Sequence, residues 1–352
     1  MSRLLEVAGA RTYAGAGVSI EAGDDVVARI RSSVESTFRP GVLGGIGGFG
    51  GLFALDALHY DQPVLVASAD GVGTKLEVAR LAQRYDTVGI DLVAMLVDDL
   101  ACVGAEPLFV LDYVAVGLVQ PEQLAVLVAG IAEGCRRAGA ALLGGETAEH
   151  GGVMKPDDLD VAGFALGVVE SRDVLSAQRV RAGDVLVGFH SPGLRSNGYS
   201  LAREILVRGP SSLTEPAYEG SSRSLAEELL LPSVIYAPSV LALCRALGAQ
   251  VHAVAHVTGG GIVGNVARLL PDDLDAVIDM ASFPTPEIFF EIQRRGPVAA
   301  EEMVRVFNCG LGMVVALDPS AAEAALSVAR TSGVDASLVG EVRGGTRQVV
   351  LT

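Results

Sequence analysis

The sequence predicts an α/β protein of two domains, and three observations carry that prediction. Short apolar runs that break at glycine-rich turns alternate with segments whose apolar residues recur every three to four positions, the marks of buried strands and amphipathic helices. At 352 residues the chain exceeds what one core ordinarily fills. Half of it is hydrophobic, with 43 glycines and no tryptophan, which supplies cores and tight loops and excludes a disordered or collagen-like chain.

In order, residues 1–23 read as an irregular arm rich in glycine and alanine. Asp24 and Asp25 precede an apolar stripe, Val26, Val27, Ile30 and Val34, and an acidic start suits the positive end of a helix. Arg39-Pro40 closes it. The stretch 44–51 formally contains Gly-x-Gly-x-x-Gly at Gly45, Gly47 and Gly50, but no strand precedes it and only the short segment 52–58 follows. A dinucleotide fingerprint is therefore rejected in favour of a connection or a phosphate-covering loop. Val64 to Ala67 reads as a strand that breaks into Ser68-Ala69-Asp70-Gly71-Val72-Gly73-Thr74-Lys75, followed by helix through Asp91, Asp98 and Asp99. Residues 108–115 read as a strand, 121–138 as a helix, 140–143 as a strand ending in Gly144-Gly145-Glu146-Thr147, and 161–169 as a strand. The aperiodic stretch 171–181 marks a domain boundary, giving domains 1–170 and 171–352.

The second half repeats one theme. A strand over 183–189 runs into Arg195-Ser196-Asn197-Gly198 and a helix to Val207; a strand over 252–258 runs into Gly259-Gly260-Gly261 and the helix 262–270. Each offers helix-start amides to an anion, or is an ordinary cap. His252 and His256 share one strand face and read as a satisfied interior pair. Strands at 274–278, 311–317, 337–342 and 348–351, with helices at 286–295 and 321–330, complete an α/β sandwich.

The chemistry concentrates around residues 67–99. Asp91 and Asp98, seven apart, fall on one helical face with Asp99 adjacent, and apolar Leu92, Val93, Met95, Leu96 and Val97 surround them. Carboxylates in such surroundings need a partner, and a divalent cation carrying phosphate oxygens is one. Glu146 at a neighbouring strand end could join them. The net charge of −16 excludes nucleic-acid or anionic-membrane binding through bulk electrostatics. Four scattered cysteines form no Cys-x-x-Cys pair, no signal peptide or membrane-length apolar run is present, and a cytoplasmic setting is expected.

Taken in order, the 44–51 block, Asp70 to Lys75, Gly89 to Met95, Gly104 to Leu108, Gly144 to Glu149, Ser196 to Ser200 and Thr258 to Gly261 resemble the aminoimidazole ribonucleotide synthetases, the phosphoribosylformylglycinamidine cyclo-ligases, from about Tyr13 to the C-terminus. The resemblance implies a homodimer whose N-terminal domains share a central β-barrel, each chain adding a C-terminal α/β sandwich. It implies an ATP-dependent ligase of purine biosynthesis using Mg2+ and K+, which activates a formyl amide as an imino-phosphate and closes an imidazole ring. It further implies roles: Asp70, Asp91, Asp98 and Glu146 at metal; Gly45, Gly47, Gly48, Gly50, Gly71, Thr74, Lys75 and Thr147 at ATP phosphates; Ser196, Asn197, Gly198, Gly259 and Gly260 at the substrate; Arg31, Asp99 and Arg195 in catalysis.

Many members have Lys where this chain has Arg31, Asn where it has Asp98, and His where it has Arg195. A guanidinium stays protonated and cannot relay a proton as imidazole does. The alternatives are a paralogue that activates another amide and a non-catalytic dimeric relative. Thiamine-phosphate kinases, selenophosphate synthetases and hydrogenase-maturation proteins share the implied fold. The last two fit poorly, because the first cysteine is Cys102 and the chain ends Leu351-Thr352.

Overall fold

The computed structural model describes residues 18–48, 50–55 and 59–352. Most of the expected arm, Phe49 of the glycine-rich stretch and residues 56–58 thus lie outside the described residues. The Ser19 hydroxyl accepts from the Ala22 N–H and caps α1 (Ile20–Glu35), so this helix begins before the acidic pair that charge had marked as its start. Two short strands, β1 (Val42–Leu43) and β2 (Leu52–Phe53), pair across the glycine-rich loop.

Then follow β3 (Pro63–Gly71), α2 (Lys75–Ala82), α3 (Val88–Cys102), β4 (Glu106–Val116), α4 (Pro121–Ala138), β5 (Ala141–Glu149) and β6 (Leu159–Glu170). The four longer strands form a sheet in the order β3-β6-β4-β5, antiparallel except for β4 with β5. Helix α4 has the bounds its sequence predicts, because Pro121 starts it and Gly139, at φ +70°, ends it. Two strands outrun expectation. Strand β3 continues through Ser68 to Gly71, bringing Asp70 into the sheet, and β5 continues through Gly144 and Gly145 to Glu149. Both glycines pair with β4, and a Cβ on Gly145 would overlap the Asp112 carboxylate, so glycine is what lets the strand go on.

A linker with 3-10 turns at Ser171–Asp173 and Ala177–Arg179 leads to β7 (Val185–His190), α5 (Tyr199–Leu206), α6 (Leu225–Leu229), α7 (Ala237–Leu247), β8 (Val251–His256), α8 (Gly261–Val266), β9 (Leu274–Ile278), α9 (Glu287–Arg295), α10 (Ala300–Val306), β10 (Leu311–Leu317), α11 (Ala322–Thr331), β11 (Ala336–Gly344) and β12 (Val349–Leu351). These strands form a second sheet, β12-β9-β11-β7-β10-β8, antiparallel except for β9 with β12. Helices α6, α7 and α10 were not expected; α6 carries a capping box between Ser224 and Glu227.

Helix α3 joins the two halves. It is buried along its length except at Asp99 and Cys102, since it packs on β3 and β6 on one side and on α7 and β8 on the other. A helix buried on nearly every side, largely apolar but for Asp91 and Asp98 on one face, is what occupies this central position.

Candidate active site between the two sheets

Helix α3 presents Asp91 and Asp98 on one face, as their spacing predicts, but that face meets protein. Asp91 Oδ1 accepts from the Ser233 N–H at 2.8 Å and the Ser233 hydroxyl at 2.6 Å, while its Oδ2 lies 2.6 Å from Lys75 Nζ. Asp98 Oδ1 accepts from the N–H groups of Tyr236 and Ala237, each at 2.8 Å, and its Oδ2 accepts from Arg195 Nη2 at 2.7 Å. Both aspartates are wholly buried. The expectation that they ligate metal is corrected here: their oxygens are taken up by protein donors, Lys75 from the same half and Ser233, Tyr236, Ala237 and Arg195 from the C-terminal half.

Lys75 is corrected likewise. Its ammonium, fully enclosed, donates to Leu231 O at 2.7 Å and Arg195 O at 3.0 Å besides meeting Asp91, so its three protons are committed and none is left for phosphate. Burial pushes the Lys75 amine below its usual range and the Asp91 carboxyl above its own; the pair opposes both shifts.

Arg195 is held at both ends. Lys75 grips its carbonyl, Asp98 its guanidinium, and the guanidinium carbon stands 4.6 Å from the centre of the Tyr236 ring. Its backbone is left-handed, φ +63°, an uncommon conformation for a residue with a side chain. The chain that follows, Ser196-Asn197-Gly198, turns into α5 through Gly198 at φ +77°, where a Cβ would overlap the Phe307 ring.

Around this loop the structure gathers Asp70, Thr74, Asp99, Ser200, His256 and Gly259. Thr74 Oγ1 lies 3.2 Å from Ser200 Oγ. Asp99, about half exposed, meets His256 Nδ1 through Oδ1 at 2.9 Å. Asp70 accepts from the Gly71 N–H at 2.7 Å; partial burial raises its carboxyl above the usual range, the Gly71 bond opposes this, and Asp99 adds a smaller upward push. A Cβ on Gly259 would stand 3.9 Å from the Asn197 amide nitrogen, so the loops after β7 and β8 abut. Gly260 at φ +99° and Gly261 at φ +62° shape the second loop.

The remaining predicted residues lie elsewhere. Gly45, Gly47, Gly48 and Gly50 line a cavity of about 630 Å³ with Glu146 and Thr147, bounded by α1 and the outer face of the first sheet. Asp70, Gly163, Asp112 and Gly145 pair in succession across that sheet, so the cavity and the cleft sit at the two ends of one row of strands. Three strand spacings, roughly 14 Å, separate Asp70 from Gly145. Glu146 therefore does not join the acids of α3. Arg31 joins neither group; it is half exposed and 3.6 Å from Glu35 on its own helix. Among the described residues no group of three or more His, Cys, Asp and Glu lies close enough to enclose a metal ion.

His256 is the residue that sequence reading undervalued. His252 is satisfied by Asp184 at 2.7 Å, as expected, whereas His256 Nε2 is buried and unpartnered. The signal available was its place at a strand end two residues before Thr258-Gly259-Gly260.

Two family descriptions match in sequence order: AIR synthase related protein, N-terminal domain, over residues 55–169, and AIR synthase related protein, C-terminal domain, over residues 181–351. A curated relative from Carboxydothermus hydrogenoformans, named phosphoribosylformylglycinamidine cyclo-ligase, is 48% identical over 340 residues, 97% of this chain and 98% of its own length. The chain belongs to the phosphoribosylformylglycinamidine cyclo-ligase family. A second member of that name, from an Anaeromyxobacter species, is 52% identical over 337 residues, 95% of this chain and 96% of its own. The family fold extends to more distant proteins. Thiamine-monophosphate kinase from Stenotrophomonas maltophilia superimposes with a TM-score of 0.67 at 20% identity, covering 93% of this chain and 95% of that one. Hydrogenase maturation protein HypE in complex with ATP gives 0.63 at 16%, covering 94% and 89%. At those identities the likeness speaks for the fold alone.

Proposed function

We propose that this chain is the ATP-dependent cyclo-ligase that converts formylglycinamidine ribonucleotide to aminoimidazole ribonucleotide, ADP and phosphate in purine biosynthesis. The observation that carries the reading is the near-complete match, at about half identity, to relatives of that name. An amide oxygen leaves poorly until it is phosphorylated. Transfer of the ATP γ-phosphoryl group to the formyl oxygen makes an imino-phosphate; the amidine nitrogen then attacks its carbon, and phosphate departs as the ring closes.

The chain's own groups support a division of labour. Asp70 and Asp99 are the carboxylates in the cleft that reach solvent, and Mg2+ is ordinarily held by one or two carboxylates with phosphates and waters rather than by a closed cage. They would hold such an ion, which supplies charge neutralisation at the transferred phosphoryl group. Gly71 and Thr74, where β3 runs into α2, would meet phosphate oxygens in the cleft, and Thr147 with the loop of Gly45, Gly47, Gly48 and Gly50 would meet nucleotide on the cavity side. Glu146, in that cavity, serves a cation on the nucleotide there, and K+ is the further ion of this reading. Ser196, Asn197, Gly198, Gly259 and Gly260 hold the substrate, positioned by Arg195, which acts here as a fixed charge and not as a proton carrier.

The assembly is a homodimer built on the first sheet. Leu65, Phe164 and Tyr113 stand 51, 55 and 38% exposed on its outer face, and β3 is an edge strand, a surface that a second copy would cover by forming a barrel. Among the described residues no helix is long and apolar enough to cross a membrane, in keeping with a cytoplasmic enzyme.

Incubation of the pure protein with formylglycinamidine ribonucleotide, ATP and Mg2+ tests the reading. Formation of aminoimidazole ribonucleotide with one ADP per turnover is expected, and intact ATP with no product removes it.

A further inference from the structure

Four buried polar atoms near the Asp98 end of α3 have no hydrogen-bond partner: Arg195 Nε, Ser196 Oγ, Asn197 Oδ1 and His256 Nε2. Leaving a buried polar group unfilled costs about 1–3 kcal/mol, and folded proteins tolerate few. Four in one place mark a position kept for something other than protein.

The chemistry of the set says what. His256 is 4% exposed, and its Nδ1 faces the Asp99 carboxylate at 2.9 Å. A carboxylate only accepts, so Nδ1 carries a proton toward Asp99, and in the tautomer that has its single proton there Nε2 is an acceptor. Asp98 Oδ2, 3.9 Å away, is too far to bond it and is already engaged by Arg195. Asn197 Oδ1 is a second acceptor and Ser196 Oγ can be a third. The fourth atom, Arg195 Nε, is a donor whose charge is met by Asp98, which leaves Asp99 as the charge behind the three acceptors. A phosphate, which has acceptors and negative charge, suits such a lining badly. A cationic group rich in N–H suits it well.

Building on the function proposed above, we propose that His256, oriented by Asp99, is a further substrate-contacting residue, and that with Asn197 and Ser196 it accepts hydrogen bonds from the amidine end of formylglycinamidine ribonucleotide. The amidine nitrogen that closes the ring is thereby aimed, and the ribose phosphate is directed away from this loop.

Glutamine and asparagine separate the two ring nitrogens: glutamine can put a polar atom near Nε2, and asparagine only near Nδ1. Calorimetric titration without ATP would compare the amidine substrate with its carboxamide analogue, in which oxygen replaces the =NH group, against wild type, His256→Asn and His256→Gln. Wild type should favour the amidine by about tenfold to a hundredfold, the range of one hydrogen bond to a charged group. His256→Asn should bind both ligands alike while melting like wild type, and His256→Gln should keep most of the preference. Undiminished preference in His256→Asn overturns the proposal, as does a stably folded His256→Gln without any. If wild type makes product yet His256→Asn keeps the preference, His256 alone is removed. If wild type neither binds nor converts the substrate, the underlying function falls and this proposal with it.

Discussion

Replacing Asp98 with Asn isolates the buried charge pair that sets the substrate loop. Both side chains of the pair are at most 1% exposed, and Asp98 accepts three bonds, two from backbone N–H groups and one from Arg195. In Asp98→Asn the amide oxygen can stay on the Tyr236 and Ala237 N–H groups, so the amide NH2 must face the Arg195 guanidinium, donor against donor. Arg195 is then a buried cation without a counter-charge, and breaking such a pair on one side costs about 3–5 kcal/mol. Arg195→His in the same protein removes the permanent charge and supplies an imidazole that can accept from the new amide. Because exchanging a buried pair whole is often nearly neutral, the double variant should return to within about 1–2 kcal/mol of wild type. Urea denaturation of the four proteins, followed by far-ultraviolet circular dichroism because the chain has no tryptophan, measures this. A coupling of roughly 2–3 kcal/mol is expected. Additive losses would refute the reasoning, since Asp98 and Arg195 would then be independent. A coupled result would read the departures at Asp98 and Arg195 that the family resemblance implies as a single exchange of partners.

Lys75→Met strands Asp91 and two carbonyls in the interior, and should cost about 3–5 kcal/mol in the same denaturation measurement. Gly89→Ala would drive a methyl into the Leu127 carbonyl and the Ile131 amide where α3 crosses α4; a loss of about 1–3 kcal/mol is expected, and an unchanged urea midpoint would contradict the packing. Burial raises the Asp112 carboxyl to about 7 against an ordinary value of 3.8. The folded state therefore binds the extra proton, its stabilising effect is complete below about pH 4, and it is lost as pH rises through 7. Stability should fall across that window on the order of a few kcal/mol, and Asp112→Asn should flatten the slope; identical pH profiles would show that Asp112 does not titrate this way.

Elements with local punctuation were legible. Pro121 and Gly139 bound α4, and the glycine turns after β7 and β8 announced themselves. Where pairing is remote, residue order said little. Strand β5 runs past Gly144 because β4 lies alongside it, and α7 was missed although Pro238 in its first turn and Gly248 at its end punctuate it as Pro121 and Gly139 do α4. The α3 carboxylates were placed correctly on one face, yet their partners come from Ser233 and Tyr236, some 140 residues on, which no periodicity reveals. The inference from greasy surroundings to a partner was sound; the partner is lysine or arginine rather than a cation with phosphate. Family membership rests on ordered motifs and survives that correction.

Helix α3 is stitched to the opposite half at two points one heptad apart, through Asp91 to Ser233 and Asp98 to Tyr236. A hinge rotation of the halves would break the buried Asp98–Arg195 ion pair together with the Ser233 and Tyr236 bonds to α3 and the Lys75 bond to Leu231, which works against a domain-closure mode of the kind that many two-lobed enzymes use. Reactants must come and go by movement of the loops at Asn197 and Gly259, and turnover should keep pace with those short segments rather than with the frame that carries them.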